Sequence, residues 1–204
     1  MRAGYYGRAK IMLPMVSTVE EIRKSKEIIK ELKKQLKDEN HHFDENIEIG
    51  TMIEVPSAAL TTDIIAPEVD FVSVGTNDLV QYTVAVDRNN LKIAHLYSYF
   101  NLGVLRLIKE VVENAHKVNI KVHVCGEMAS EPLATILLIG LGVDELSMTA
   151  LMIPQIKKII RSFSYRESKD LTEKVLGMKT QAEIEKCLRS VLFKRLPDLK
   201  LTNI

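Results

Sequence analysis

Three oxygen-bearing side chains follow one another directly after an apolar run. The run at residues 71–74 is aromatic and β-branched, which predicts a buried strand. Thr76, Asn77 and Asp78 come next, and carboxylate and amide oxygens are ligands that suit a hard cation such as Mg²⁺. Arg88, further along the chain, carries a planar guanidinium whose donors match a phosphate group. This spacing predicts a metal-and-phosphate site at the end of a strand.

The same stretch, from Asp70 to Arg88, resembles the signature of the phosphoenolpyruvate-utilising enzymes. Two further segments fit that family, at residues 49–59 and 124–129. Four segments are similar to the enzyme I branch of the phosphoenolpyruvate–sugar phosphotransferase system, at residues 10–15, 47–50, 95–97 and 156–161. The resemblance covers most of the chain, from residue 2 to residue 192.

The resemblance implies a role for each candidate residue near a strand end. Glu54 and Asp78 would bind Mg²⁺, which in the family bridges the carboxylate and the phosphate of phosphoenolpyruvate. Asn77, Asp78 and Arg88 would contact the substrate itself. The simpler alternative for the two carboxylates is that each caps or solvates a strand end, and for Arg88 that it forms a surface ion pair.

Cys125 is the candidate catalytic acid. Forming pyruvate from the enolate requires a proton on the methylene carbon, and a thiol is mostly protonated at neutral pH. In the family the matching cysteine is that acid, and Glu127 is expected to orient it. The alternative is a buried structural cysteine, which is the reading that we prefer for Cys187. For His123, a hydrogen-bonded packing role is favoured over tuning of the thiol.

The elements that must position these residues alternate along the chain. Strand-like runs lie at residues 11–15, 47–55, 69–74, 120–127 and 145–148, separated by helical patterns. Capping boxes are predicted at Ser17–Glu20 and Thr180–Glu183, and Ser130 is predicted to open a further helix. Alternating strands and helices predict parallel βαβ units and an α/β fold. The family fold is a (β/α)₈ TIM barrel, and these five units resemble its last five.

Bulk composition restricts the possible partners. With 204 residues the chain can bury a sizeable core. A formal net charge of +1 gives no electrostatic reason to expect nucleic acid, and no apolar run is long enough to insert into a membrane. Two cysteines far apart do not form a disulfide framework, so a cytoplasmic location is expected.

The family resemblance also implies a larger protein. We expect residues 1–204 to be one domain, the C-terminal part of the phosphoenolpyruvate-binding barrel, with the first three strands and the N-terminal domains absent. The implied function is that of a phosphoenolpyruvate–protein phosphotransferase, which begins sugar transport. Its phosphoryl group would pass to a histidine on another domain and then to a small histidine-containing phosphocarrier protein. A homodimer is expected from the family.

Three alternatives remain open. One is a pyruvate–phosphate dikinase or phosphoenolpyruvate synthase, which shares the signature. Another is a metal-dependent aldolase or lyase of a similar barrel, which would not need the segment Cys125–Glu127. The third is a truncated fragment that binds a ligand without turnover. One departure from the family is the loop at residues 98–102, where proline-containing sequence is usual, so a remodelled loop is expected there.

Overall fold

A computed structural model describes residues 1–199, and its centre is one parallel sheet. The five strands are β1 (Lys10–Leu13), β2 (Glu48–Ile53), β3 (Phe71–Gly75), β4 (Val122–Cys125) and β5 (Glu145–Leu146). They lie in chain order, and each pairs in parallel with the next. The predicted α/β fold of parallel βα units is therefore confirmed. Within the described residues β1 pairs only with β2 and β5 only with β4, so the sheet is open.

Helices connect and cover these strands. They are α1 (Val19–Asp38), α2 (Pro56–Leu60), α3 (Thr62–Ile65), α4 (Thr76–Val84), α5 (Leu102–Lys117), α6 (Pro132–Leu141), α7 (Ile153–Ile160), α8 (Tyr165–Leu176) and α9 (Gln181–Arg195). Short 3₁₀ turns lie at Arg2–Tyr5, Ala66–Glu68, Ala94–Leu96, Glu127–Ser130 and Ala150–Met152. No helix among residues 1–199 is both long enough and apolar enough to cross a membrane.

The predicted capping box at the start of α1 is wrong by one residue. Both Ser17 and Thr18 precede a glutamate by three positions, so the sequence pattern is ambiguous. In the structure the Glu21 carboxylate accepts the backbone N–H of Ser17 at 2.7 Å and that of Thr18 at 3.0 Å. The helix consequently begins at Val19, with Thr18 as its N-cap.

The predicted start of α9 agrees with the structure, whereas the predicted start of α6 is wrong by one residue. The predicted box at Thr180 and Glu183 is confirmed, because the Glu183 carboxylate accepts the Thr180 N–H at 3.1 Å. At α6 the cap is Glu131 instead of the predicted Ser130: its carboxylate accepts the N–H of Leu133 at 3.1 Å. These caps satisfy N–H groups that the first turn of a helix leaves without a partner.

The two faces of the sheet differ in character. The face toward the helices is apolar, and Val72, Val74, Val122 and Val124 on it are fully buried. Burial of these β-branched side chains against apolar helix residues contributes to the hydrophobic stabilisation of the fold. The carboxyl ends of the strands are thereby held at fixed separations.

A row of polar and aromatic side chains crosses the opposite face. Lys10 pairs with Glu48 at 2.6 Å and lies 5.0 Å from the centre of the Phe71 ring. Phe71 stacks on His123 at 5.5 Å, and His123 Nε2 lies 3.5 Å from a carboxylate oxygen of Glu145. These contacts give His123 a packing role on β4, with the Glu145 carboxylate beside its ring.

Candidate active site

Strand register brings the candidate residues to one edge of the sheet. Gly75 at the end of β3 is level with Cys125 at the end of β4, and Ile53 of β2 is level with Val74. Glu54 follows β2 directly. Because parallel strands share one carboxyl edge, the residues that follow β2, β3 and β4 are neighbours there.

Thr76, Asn77 and Asp78 form the first turn of α4 and are not an extension of the strand. This differs from the expected strand end, because the chain turns into a helix immediately after Gly75. Thr76 is fully buried, and its hydroxyl donates to the carbonyl oxygen of Cys125 at 2.7 Å. The first turn of α4 is therefore fixed against the end of β4. Its N–H groups add positive potential at the same edge, as at other helix N-termini.

Glu54 and Asp78 form a pair of facing carboxylates. Glu54 is 4% exposed, and its Oε1 accepts the backbone N–H of Met15 at 2.8 Å. Burial raises the pKa of Glu54, and the nearby negative charge of Asp78 raises it further. A Cβ atom at Gly75 would lie 2.7 Å from Glu54 Oε2, so only glycine leaves room for the carboxylate.

The chemistry of this pair fits a partly open magnesium site. No cluster of three or more His, Cys, Asp or Glu side chains in residues 1–199 is arranged to hold a metal. A closed structural zinc site would need four such ligands. Mg²⁺ instead commonly takes one or two protein carboxylates and completes its octahedron with water and substrate oxygens. Glu54 and Asp78 match that second pattern.

Asn77 connects α4 to the segment after β4. The side-chain Oδ1 of Asn77 accepts the backbone N–H of Glu127 at 3.0 Å. The backbone carbonyl oxygen of Asn77 accepts the hydroxyl of Tyr97 at 3.1 Å. Because Oδ1 is engaged, the amide orientation is fixed and the NH₂ group remains as a donor. The start of α4 and the segment after β4 approach each other closely at Gly126. The φ angle of Gly126 is +85°, a backbone conformation that would be strained in a residue with a side chain.

The Cys125 thiol is half-buried and held by two weak contacts. Its sulfur accepts from the Ser73 hydroxyl at 3.5 Å and donates to the Val74 carbonyl at 3.5 Å. Both partners belong to β3, so the adjacent strand orients the thiol. Cys187 lies in α9, away from this edge, and both cysteines are free thiols.

Arg88 lies in the loop after α4 and is exposed. Its backbone N–H donates to Gln81 Oε1 at 3.2 Å. Burial raises the pKa of Tyr97, and the guanidinium of Arg88 counteracts that rise. Arg88 is thus placed beside Tyr97 at the rim of the site.

Sequence reasoning missed Tyr97 and Tyr99 as site residues. Their rings meet edge to face at 5.6 Å, and the Tyr99 hydroxyl donates to Glu127 Oε2 at 2.8 Å. Burial and the hydrogen bond to Glu127 both raise the pKa of Tyr99. The signals in the sequence were the family match at residues 95–97, which includes Tyr97, and the departure of the loop at residues 98–102 from the family pattern.

Comparison with known proteins gives a consistent result. Residues 1–165 match the family described as "PEP-utilising enzyme, PEP-binding domain". The chain is 45% identical over 192 residues to the phosphoenolpyruvate-protein phosphotransferase of Haemophilus influenzae, with 94% of this chain and 33% of that protein covered. It is 44% identical over 184 residues to the Staphylococcus aureus protein of the same name, with 90% and 32% covered. The chain therefore spans about a third of the length of the curated relatives it matches.

A solved structure with the same fold is a citrate lyase from Burkholderia xenovorans. The match has a TM-score of 0.55 and 16% sequence identity, and it covers 99% of this chain and 68% of the other. At that identity the likeness concerns the fold alone.

Proposed function

Because this chain belongs to the PEP-utilising enzyme family as a PEP-binding domain, we propose that it binds phosphoenolpyruvate with Mg²⁺ within a phosphoenolpyruvate–protein phosphotransferase. The single observation that carries this proposal is the convergence of Glu54, Asp78, Asn77 and Cys125 on one edge of the sheet. A carboxylate pair of which Glu54 is buried, an oriented amide and an oriented thiol are the groups that this chemistry requires. Residues 1–204 would form one domain of the larger protein.

Substrate binding would use groups that are already oriented. Bound to Glu54 and Asp78, Mg²⁺ would neutralise charge on the carboxylate and phosphate of the substrate. The NH₂ group of Asn77 donates to a phosphate oxygen, since its Oδ1 is held by the N–H of Glu127. Arg88 adds a guanidinium at the rim, where its charge attracts and orients an anion. Phosphoryl transfer depends mainly on such positioning and on neutralisation of charge.

Cys125 would act as the general acid. As the bond between phosphorus and the enol oxygen breaks, its electrons form the carbonyl of pyruvate. The electron pair of the carbon–carbon double bond takes the thiol proton, and solvent returns a proton to the sulfur. The phosphoryl group goes to a histidine nitrogen on another domain and then to a small histidine-containing phosphocarrier protein.

The relatives favour this reaction over the alternatives within the family. Both of the relatives compared above carry the name phosphoenolpyruvate-protein phosphotransferase, which supports it over a dikinase or synthase. A cytoplasmic homodimer at the start of sugar transport belongs to the same proposal. Since the chain spans about a third of those proteins, ligand binding without turnover is the competing candidate for the chain by itself.

The test is calorimetric titration of phosphoenolpyruvate into the 204-residue chain, with and without Mg²⁺. Binding should require Mg²⁺ and should be lost in Glu54→Gln, which keeps the shape of the side chain but removes its charge. Glu48→Gln is the matched control, because Glu48 begins the strand that Glu54 follows but is exposed and paired with Lys10. Equal binding by both variants, or binding that ignores Mg²⁺, would contradict the proposed site.

A further inference from the structure

Ser73 is a buried polar residue at the centre of β3. It is 5% exposed, and the residues on either side of it, Val72 and Val74, face the apolar layer of helices. Because side chains alternate along a strand, Ser73 points to the opposite face of the sheet. A buried hydroxyl is unfavourable unless it forms a hydrogen bond, so the contact that Ser73 makes has a physical reason.

The Ser73 hydroxyl donates to the Cys125 sulfur at 3.5 Å, a separation lengthened by the large radius of sulfur. The thiol itself donates to the Val74 carbonyl oxygen at 3.5 Å. The strand register accounts for the first contact, since Gly75 is level with Cys125 and Ser73 lies two residues earlier on the same face. The thiol is therefore held between a donor and an acceptor of the neighbouring strand.

The ionisable neighbours of Cys125 along its own segment have other contacts. His123 precedes the cysteine by two residues on the same face, and its Nε2 lies 3.5 Å from a carboxylate oxygen of Glu145. Glu127 follows the cysteine by two residues, and its carboxylate accepts a tyrosine hydroxyl at 2.8 Å. Ser73, in contrast, directs its polar atom at the sulfur.

A hydroxyl that donates to sulfur stabilises the thiolate more than the thiol. When Cys125 gives its proton to the methylene carbon of the enolate, the sulfur keeps the electron pair and becomes negatively charged. A hydrogen bond to a charged acceptor is stronger than one to a neutral acceptor. The Ser73 hydroxyl is thus placed to stabilise the charge that develops as the proton leaves.

We propose that Ser73 is a positioning residue that orients the Cys125 thiol and stabilises the thiolate left after proton donation. This inference rests on the proposed function, because it concerns the acid of the same reaction. The hydroxyl of Ser73 and the carbonyl of Val74 together restrict rotation about the Cβ–Sγ bond while no substrate is bound. After proton donation the hydroxyl remains on the thiolate until solvent returns a proton.

The test is the pH dependence of the rate at which iodoacetamide alkylates Cys125 in a Cys187→Ser background. The thiolate is the form that reacts, so the midpoint of the curve reports its stability. In Ser73→Ala the midpoint should rise by about one pH unit, a tenfold change, because the hydrogen bond to the charged sulfur is lost. Ser73→Thr keeps a hydroxyl and should keep the midpoint of the unsubstituted chain.

Thr51→Val is the matched control. Thr51 is fully buried on the neighbouring strand β2, and its hydroxyl donates to the Leu13 carbonyl oxygen at 3.2 Å. Loss of that hydroxyl should leave the midpoint unchanged. A purely structural role for Ser73 would change the alkylation rate at every pH and leave the midpoint in place, and that result would overturn the proposal. A rise of equal size in Ser73→Thr or Thr51→Val would overturn it as well.

A second measurement separates this inference from the proposed function. The alkylation curve needs no substrate, so it judges the role of Ser73 independently of ligand binding. Calorimetric titration of phosphoenolpyruvate with Mg²⁺ should give the same affinity for Ser73→Ala as for the unsubstituted chain, because Ser73 acts through the thiol. An unsubstituted chain that binds no phosphoenolpyruvate contradicts the proposed function, whereas an unmoved midpoint in Ser73→Ala contradicts the role of Ser73.

Discussion

Asn77 Oδ1 accepts the backbone N–H of Glu127 at 3.0 Å, which joins the start of α4 to the segment after β4. This one hydrogen bond determines which end of the amide is a donor. Together with the hydrogen bond from the Thr76 hydroxyl to the Cys125 carbonyl oxygen, it holds the helix that carries Asp78 against the end of the strand that carries Cys125. The geometry of the site therefore depends on a contact between residues fifty positions apart.

Asn77→Asp should separate binding from stability. The aspartate keeps the acceptor for Glu127 N–H but replaces the donor with a negative charge that repels phosphate. We expect the affinity for phosphoenolpyruvate, measured by calorimetry with Mg²⁺, to fall more than about tenfold. The thermal midpoint should change little.

The control for that substitution is Asn101→Asp. Asn101 caps α5 by accepting the N–H of Gly103 at 2.8 Å, and aspartate caps a helix equally well. Its binding should equal that of the unsubstituted chain. Similar affinities in both variants would show that the Asn77 amide does not donate to the substrate.

Gly126→Ala should lower the free energy of unfolding for two reasons. Its φ is +85°, and an added Cβ would lie 2.6 Å from Thr76 Oγ1. Gly142→Ala is a matched control, since its φ is +90° but the nearest atom would be 3.5 Å away. Denaturant unfolding should show a loss of about 1–3 kcal/mol for Gly126→Ala and a smaller loss for Gly142→Ala. Equal losses would mean that the close approach at Gly126 is unimportant.

Glu54→Gln should stabilise the chain at neutral pH in the absence of Mg²⁺. The pKa of Glu54 is higher in the folded chain than in the unfolded chain, because burial disfavours the charged carboxylate. Protonated Glu54 therefore stabilises the fold fully at low pH, and this stabilisation is lost as the pH rises through the folded pKa. Glutamine avoids that loss. Thermal unfolding at about pH 7.5 should favour the variant, and the advantage should shrink toward about pH 5.

Glu48→Gln again provides the comparison for the pH series. Its exposed carboxylate pairs with Lys10, so removal of the charge should give no gain at the higher pH. A gain for Glu54→Gln of equal size at both pH values would point to packing instead of ionisation.

Cys125→Ala should abolish proton exchange but not binding. If the thiol donates a proton to the enolate, the chain with Mg²⁺ should exchange the methyl protons of pyruvate for solvent deuterium, which proton NMR can follow. The variant should exchange at least about 100-fold more slowly, the usual contribution of a general acid. Cys187→Ala should exchange at the normal rate. Unaffected exchange in Cys125→Ala would assign the acid to another group.

Much of the fold could be predicted from the sequence because strands and long helices carry strong periodic patterns. The five strands and the capping box at Thr180 are examples. The start of α4 was missed, because the polar residues 76–78 interrupt the apolar pattern where the helix begins. The box at Ser164 was missed too, although the Ser164 hydroxyl accepts the N–H of Glu167 at 3.2 Å.

The candidate site was predictable where its residues adjoin strands and unpredictable where they do not. Glu54 and Cys125 mark strand ends, so a parallel fold predicts that they lie near one another. Tyr99 reaches Glu127 across 28 positions from a loop with no repeating pattern. Only tertiary packing of that loop, with Phe100 buried against the core, decides where its hydroxyl lies.

Asn77 and Asp78 are consecutive on α4, but their side chains face different neighbours. Asn77 contacts the segment after β4, and Asp78 faces Glu54 after β2. Since an α-helix rotates by about 100° per residue, these two directions depend on where the helix starts. Inserting one residue between Gly75 and Thr76 would turn both side chains away from their neighbours. In evolutionary terms, we expect insertions and deletions at this junction to be rare among relatives that keep the site.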